Sequence, residues 1–219
     1  YEYVLQWSEG EEGSSFEPSD AAVDGAGNLY ATDASNHAVL KFDSSGRFVA
    51  KWGGFGKDEG LFNQPTGIAV DASGNVFVAD ALNHRVQKFD SSGKFIMKWG
   101  SKGRGEGQFG KLSGLAVDAS GGVYVTDISN NRVQKFDSSG MFLAKWGGEG
   151  SGDGEFWNPS GIAVDSSGNS YVTDYWNHRV QKFDASGNFV EKWGGYGNGE
   201  GEFNLPRGIA VDAAGNVYV

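Results

Sequence analysis

Cysteine is absent from this chain, and proline, methionine and histidine are scarce: four, two and three among 219 residues. Without cysteine there is no disulfide framework and no thiolate metal site, which is compatible with an oxidising or a reducing compartment. Long apolar runs are missing too, and nothing approaches the roughly 18 residues of a membrane-spanning helix. Positive charge is in deficit. A formal charge of −10 repels phosphate backbones and anionic membranes unless basic residues gather on one face. What the chain has in abundance is glycine, 36 residues, together with 14% aromatics. That mixture suits short strands joined by tight turns, in one body that buries about 70% of its unfolded surface.

The order in the chain is a repeat. Trp52, Trp99, Trp146 and Trp193 recur every 47 residues, and so do Asp24, Asp71, Asp118, Asp165 and Asp212. A period of that size marks a stack or ring of like supersecondary units. In the copy that begins at Gly67, a short apolar run, Gly67-Ile68-Ala69-Val70-Asp71, precedes the turn cluster Ala72-Ser73-Gly74-Asn75. This is strand A and its hairpin. Val76-Phe77-Val78 has the continuous apolar character of a strand covered on both faces, strand B. After the turn from Asp80 to His84, Arg85-Val86-Gln87-Lys88-Phe89 alternates as strand C, and Lys94 to Trp99 follows the turn Asp90-Ser91-Ser92-Gly93 as strand D. A glycine-rich link, Gly100 to Leu112, leads to the next copy.

Four antiparallel strands that grow more polar from first to last make one blade of a β-propeller, with strand A at the axis and strand D facing solvent. Glycine turns interrupt every window long enough for a helix, so helical repeats are excluded, and a stacked β-solenoid is the runner-up. The expected layout is one domain over 1–219: a strand D at 2–7, blades at 20–52, 67–99, 114–146 and 161–193, and a partial blade at 208–219. That is about 4.7 repeats, one strand short of five closed blades. With Tyr1 at its start and Val219 inside a strand, the chain reads as a piece of something longer.

The pattern G-I-A-V-D, G-N-x-Y-V-x-D, N-H-R-V-Q-K-F resembles the NHL repeat. It stands as Gly67-Ile68-Ala69-Val70-Asp71 with Asn83-His84-Arg85, and again as Gly161-Ile162-Ala163-Val164-Asp165 with Asn177-His178-Arg179. The resemblance covers essentially the whole chain and implies a propeller of six blades, five being the alternative. Such propellers mostly serve as binding platforms for proteins or RNA, and similar rings include lyases and hydrolases with a metal on the axis. Copy one departs furthest, with Asp20, Ala21 and Ala38 in place of glycine, isoleucine and arginine. Copy three has Asn131 for histidine and Leu112 for proline.

His37, His84 and His178 share one repeat position at the start of strand C, away from the axis, so they are expected to orient the B–C turns beside Asp33, Asp80 and Asp174 rather than to cage a metal. The acidic links, with Asp58-Glu59, Glu106, Asp153 to Glu155 and Glu200 to Glu202, lack the dense spacing of a calcium loop and read as solvated charge. No helix start follows the repeated glycines, which weakens a phosphate cradle. Lys102, Arg104 and Lys111 are the one basic group that RNA could use, and they too read as solvated. No nucleophile and base stand outside the repeat register, so no catalytic residue and no cofactor are assigned.

The copies differ where D–A links and B–C turns share one face. The B–C pair is Ala34-Ser35, Ala81-Leu82, Ile128-Ser129 and then Tyr175-Trp176. In the links, Trp157 stands where other copies have asparagine or glycine, and Phe55 and Tyr196 stand where copy three has Lys102. Aromatic residues on the loops of a rigid frame are common recognition anchors, so Trp157, Tyr175, Trp176, Tyr196 and Phe55 are the expected ligand-binding residues. Packing against the neighbouring blade is the alternative for them. The expected function is a non-enzymatic binding or assembly scaffold for a protein or other macromolecule, with no membrane insertion. Self-assembly follows if the ring closes between chains. The alternatives are an axial-metal lyase or hydrolase and a single-stranded RNA module.

Overall fold

The computed structural model describes residues 17–219, and the strand expected at 2–7, with Trp7, lies outside the described residues. Four four-stranded antiparallel sheets follow one another. The first is β1 (Pro18–Val23), β2 (Leu29–Asp33), β3 (Ala38–Phe42) and β4 (Phe48–Gly53); the second is β5 (Pro65–Val70), β6 (Val76–Asp80), β7 (Arg85–Phe89) and β8 (Phe95–Trp99). A short parallel pair, β9 (Ser101–Lys102) and β10 (Gln108–Phe109), leads into β11 (Leu112–Val117), β12 (Val123–Asp127), β13 (Arg132–Phe136) and β14 (Phe142–Gly147). The fourth is β15 (Pro159–Val164), β16 (Ser170–Asp174), β17 (Arg179–Phe183) and β18 (Phe189–Gly194), and a hairpin of β19 (Ala210–Val211) and β20 (Val217–Tyr218) begins a fifth. The chain is an all-β propeller of the four-stranded blades expected from its repeat. The only helical pieces among the described residues are single 3₁₀ turns after β6, β12 and β16.

Each hairpin is set by an aspartate that satisfies the turn's own amides. Asp71 Oδ1 accepts from the backbone N–H of Ser73 (2.9 Å) and Asn75 (2.8 Å), and Oδ2 accepts from the Asn75 side chain (2.7 Å). Asp90 does the same for Ser92 and Lys94 at the other hairpin. Such Asx turns supply locally the hydrogen bonds that the ladder cannot.

Blades are joined by apolar faces. Between the second and third, Phe77, Val86 and Trp99 meet Leu115, Val125 and Phe136, with Phe109 of the link buried among them. The repeated tryptophans set this spacing: the ring of Trp99 lies over Gly140 in the next blade, where a Cβ would come within 2.7 Å of the indole. At the axis the first strands pack closer still. A Cβ on Gly67 would stand 2.4 Å from the Ser113 carbonyl oxygen, so glycine there is a condition of the blades' approach. Strand B hydroxyls tie the same strands together, Thr126 Oγ1 donating to the Ser160 carbonyl at 2.7 Å and Thr173 Oγ1 to that of Arg207 at 2.8 Å.

Candidate functional site

The loop face rests on a buried charge network repeated in three blades. Asp80 ends β6 fully buried, and its Oδ2 accepts from Arg85 Nε at 2.7 Å. The other guanidinium nitrogens of Arg85 donate to the carbonyls of Lys57 (2.7 Å), Asp58 (2.9 Å) and Leu61 (2.8 Å). Gln87 donates to the same Leu61 carbonyl and accepts from the Gly60 amide. A glycine-rich link, otherwise free to move, is thereby held at both ends of its bend. Arg132 with Asp127 and Arg179 with Asp174 repeat the arrangement at 3.3 and 2.8 Å. Burial pushes the Asp127 and Asp174 carboxyls upward, against the pull of these donors.

The histidines have the structural task expected of their position. His37, His84 and His178 occupy left-handed backbone, with φ between 53° and 56°. The Nδ1 of His37 accepts from the Gln64 amide at 3.0 Å, and that of His178 from the Leu205 amide at 3.2 Å. Nδ1 of His84 lies 2.5 Å from the Gly110 carbonyl and therefore carries its proton there. Asn131 substitutes with its side-chain carbonyl, which accepts from the Asn158 amide at 2.9 Å. Each side chain thus pins a B–C turn to the link that enters the next blade, and the turn amides add bonds such as Trp176 N–H to the Trp157 carbonyl at 3.1 Å. The two loop sets do share one face.

On that face a cavity of about 700 Å³ opens at the axis, lined by the first strands and the B–C turns of successive blades. Its charged lining residues are Glu17, Asp20, Lys111 and Arg207. Asp20 occupies the repeat's glycine position; Oδ1 accepts from the Ala21 amide (2.9 Å) and Oδ2 from that of Ile68 (3.1 Å). Burial raises its pKa to about 6 in spite of those two donors. Arg207 stacks over the Tyr175 ring, 5.2 Å from its centre, and donates to the Tyr175 hydroxyl at 3.2 Å. Tyr175 in turn meets Trp176 edge to face at 5.1 Å.

The five expected binding residues therefore fall into two groups. Tyr175 and Trp176 line the cavity, and Trp157 is joined to Trp176 through the backbone; Trp157 and Trp176 are 55% and 47% exposed. Phe55 and Tyr196, 71% and 75% exposed, lie instead against His37 and His178, at 5.1 and 4.9 Å between rings. The basic group of copy three is divided: Lys111 lines the axial cavity, whereas Arg104 borders a smaller one of about 170 Å³ beside Asn131 and Glu149. Several link acids pair with the following blade, Glu59 with Lys98 at 3.5 Å, Glu106 with Lys145 at 3.3 Å, and Asp153 with Lys192. Among the described residues no group of three histidines and carboxylates is placed to hold a metal.

Glu17 and Arg207 were not legible as site residues from motifs. The signal that finds them is a break in the repeat. Position 17 recurs as Gln64, Lys111, Asn158 and Leu205, and position 207 is preceded by Ser19, Thr66, Ser113 and Ser160. All four charged residues of the cavity are thus unlike their counterparts in the other copies.

The succession of four-stranded blades, its buried Asp–Arg pairs and its loop-face cavity define a repeat propeller. The NHL repeat family matches residues 62–89, 109–136 and 156–183, so the chain is a β-propeller that carries NHL repeats. No curated protein sequence matches it significantly. Among solved structures it is similar to Kuenenia stuttgartiensis hydrazine synthase, at 16% identity over 85% of this chain and 52% of the other, with a TM-score of 0.62. It is also similar to virginiamycin B lyase from Staphylococcus aureus, at 14% identity over 91% of this chain and 61% of the other, TM-score 0.65. A streptogramin B lyase matches at 14% identity over 92% of this chain and 67% of the other, TM-score 0.65. The chain spans about half to two thirds of the length of these proteins. Identities of this size carry the fold alone.

Proposed function

We propose that this propeller is a non-enzymatic binding module whose partner, a protein or other macromolecule, docks on the face built from D–A links and B–C turns. The observation that carries the reading is the exposed pair Trp157 and Trp176, joined through the backbone in the one blade with aromatic residues at both loop positions, with Trp176 lining the axial cavity. Such rings offer much contact area for few rotatable bonds, and the frame beneath them is held by buried charge pairs. The opposite face carries near-identical Asp-x-x-Gly hairpins whose polar groups are spent on their own turns.

The test is site-specific photo-crosslinking in extract of the source cells, with the reactive side chain at position 176 or, as a control, at position 91 on the hairpin face. Crosslinks to a macromolecule from position 176 and not from 91 are expected, and Trp157→Ala should remove them. Equal labelling from both faces, or none from position 176, overturns the reading.

A further inference from the structure

In a repeat protein the residues that recur hold the frame, so side chains that break the repeat and still converge call for another explanation. The four charged residues of the axial cavity meet that description. Glu17 and Asp20 come from the first blade, Lys111 from the entry to the third, and Arg207 from the entry to the fifth. Asp20 stands where the later blades have Gly67, Gly114 and Gly161, and Arg207 where they have serine or threonine. Two acids and two bases are therefore presented separately around one cavity, with Tyr175 and Trp176 between the loops above it.

None of the acids is paired with either base among the bonds of the site. The Asp20 carboxylate accepts two backbone amides and Glu17 Oε2 accepts from the Ser35 hydroxyl at 3.1 Å, which leaves lone pairs on both carboxylates. Arg207 is steered by Tyr175, which engages one face of the guanidinium and one of its N–H groups, so other donors remain. The volume is in the range of small-molecule sites, too small for a folded domain.

We propose that the axial cavity binds a small zwitterion of the amino-acid or short-peptide class, its ammonium group held by Asp20 and Glu17 and its carboxylate by Lys111 and Arg207. Tyr175 and Trp176 supply the apolar wall for a side chain. This rests on the loop face being the binding face, but it adds a ligand of defined charge pattern that the macromolecular reading does not require.

The test is calorimetric titration of the protein with the tripeptide Ala-Phe-Ala in three forms: both ends free, N-acetylated, and C-amidated. The free peptide is expected to bind, and each cap to weaken it about tenfold or more, as loss of one charge-assisted contact does. In Asp20→Asn/Glu17→Gln the penalty for acetylation should vanish, and in Lys111→Gln/Arg207→Gln the penalty for amidation should vanish. Circular dichroism on each variant shows that the fold is retained. Equal binding of the three peptides, or no heat with the free peptide at millimolar concentration, overturns the proposal. Either result leaves the crosslinking test of the loop face untouched, since that test reads a macromolecule at position 176.

Discussion

Arg85 Nε donates to Asp80 Oδ2 at 2.7 Å inside the second blade, and the two residues together hold a link that neither strand could fix alone. Both are buried, so removing the guanidinium leaves a carboxylate without its counter-charge and takes a donor from each of three link carbonyls, of which Leu61 keeps its bond from Gln87. Arg85→Met is expected to cost about 3–5 kcal/mol. The double variant Arg85→Met/Asp80→Asn should recover part of that loss. Urea denaturation midpoints of the two variants check it, and a single variant as stable as wild type would refute it.

Gly140 and Gly148 should respond oppositely to alanine. At Gly140 the backbone has φ +79° and a Cβ would lie 2.7 Å from the Trp99 ring of the preceding blade. Gly140→Ala is expected to destabilise by about 2 kcal/mol or more. At Gly148 nothing stands within 4 Å of the added atom, and Gly148→Ala should be neutral to about 1 kcal/mol stabilising. Thermal melts distinguish the two.

Asp20 imposes a pH dependence of its own. Burial raises its pKa to about 6 in the folded chain, above the 3.8 of an ordinary aspartate. The folded state therefore holds the proton more tightly, and this contribution is fully present below about pH 4 and lost as pH rises through 6. The stability of wild type relative to Asp20→Asn should fall by about 2 kcal/mol between pH 4 and pH 7. Denaturation curves at both pH values measure the difference, and a constant gap would contradict the assignment.

The hairpin aspartates act in the opposite sense. Hydrogen bonds from Ser92, Lys94 and their counterparts hold the carboxyls of Asp90, Asp137 and Asp184 below the usual range. Their stabilisation is present above the unfolded carboxylate pKa and lost as pH falls below it. The melting temperature should therefore drop steeply below about pH 4. Asparagine at Asp90 and Asp137 should flatten that acid limb, which a melting series from pH 2 to 6 would show.

Trp157→Ala with Trp176→Ala should leave stability nearly unchanged. Both rings are about half exposed, and their neighbours are joined to them through main-chain bonds that alanine keeps. A combined loss within about 1 kcal/mol is expected by chemical denaturation. A larger loss would mean that the rings pack the blades, the alternative for aromatic residues at these positions.

Much of the fold is legible in the sequence. The 47-residue spacing of tryptophan and aspartate identified the blade, and the Asp-x-x-Gly clusters marked the hairpins because an Asx turn is closed by residues within four positions of each other. The links were less legible. Their glycines and acids read as plain loops, yet Phe62, Phe109 and Phe156 are fully buried between blades, and short parallel bridges such as Tyr196 with Phe203 order the bend. Arginine opens the alternating strand C at a polar position of the pattern, yet Arg85, Arg132 and Arg179 are almost wholly enclosed. An alternating strand pattern gives no sign that a guanidinium will be covered by a loop some 27 residues earlier.

What the sequence determined by itself is everything whose cause is local and repeated: the strand count of each blade, its turns, and the face on which variation gathers. Tertiary structure decided which variant residues meet. Glu17 and Asp20, Lys111, and Arg207 sit in three separate stretches of the chain, and no spacing between those stretches signals a site. They share a cavity because each first strand packs on the next at glycine distance, and the small rotation between neighbouring blades accumulates until distant copies face one axis.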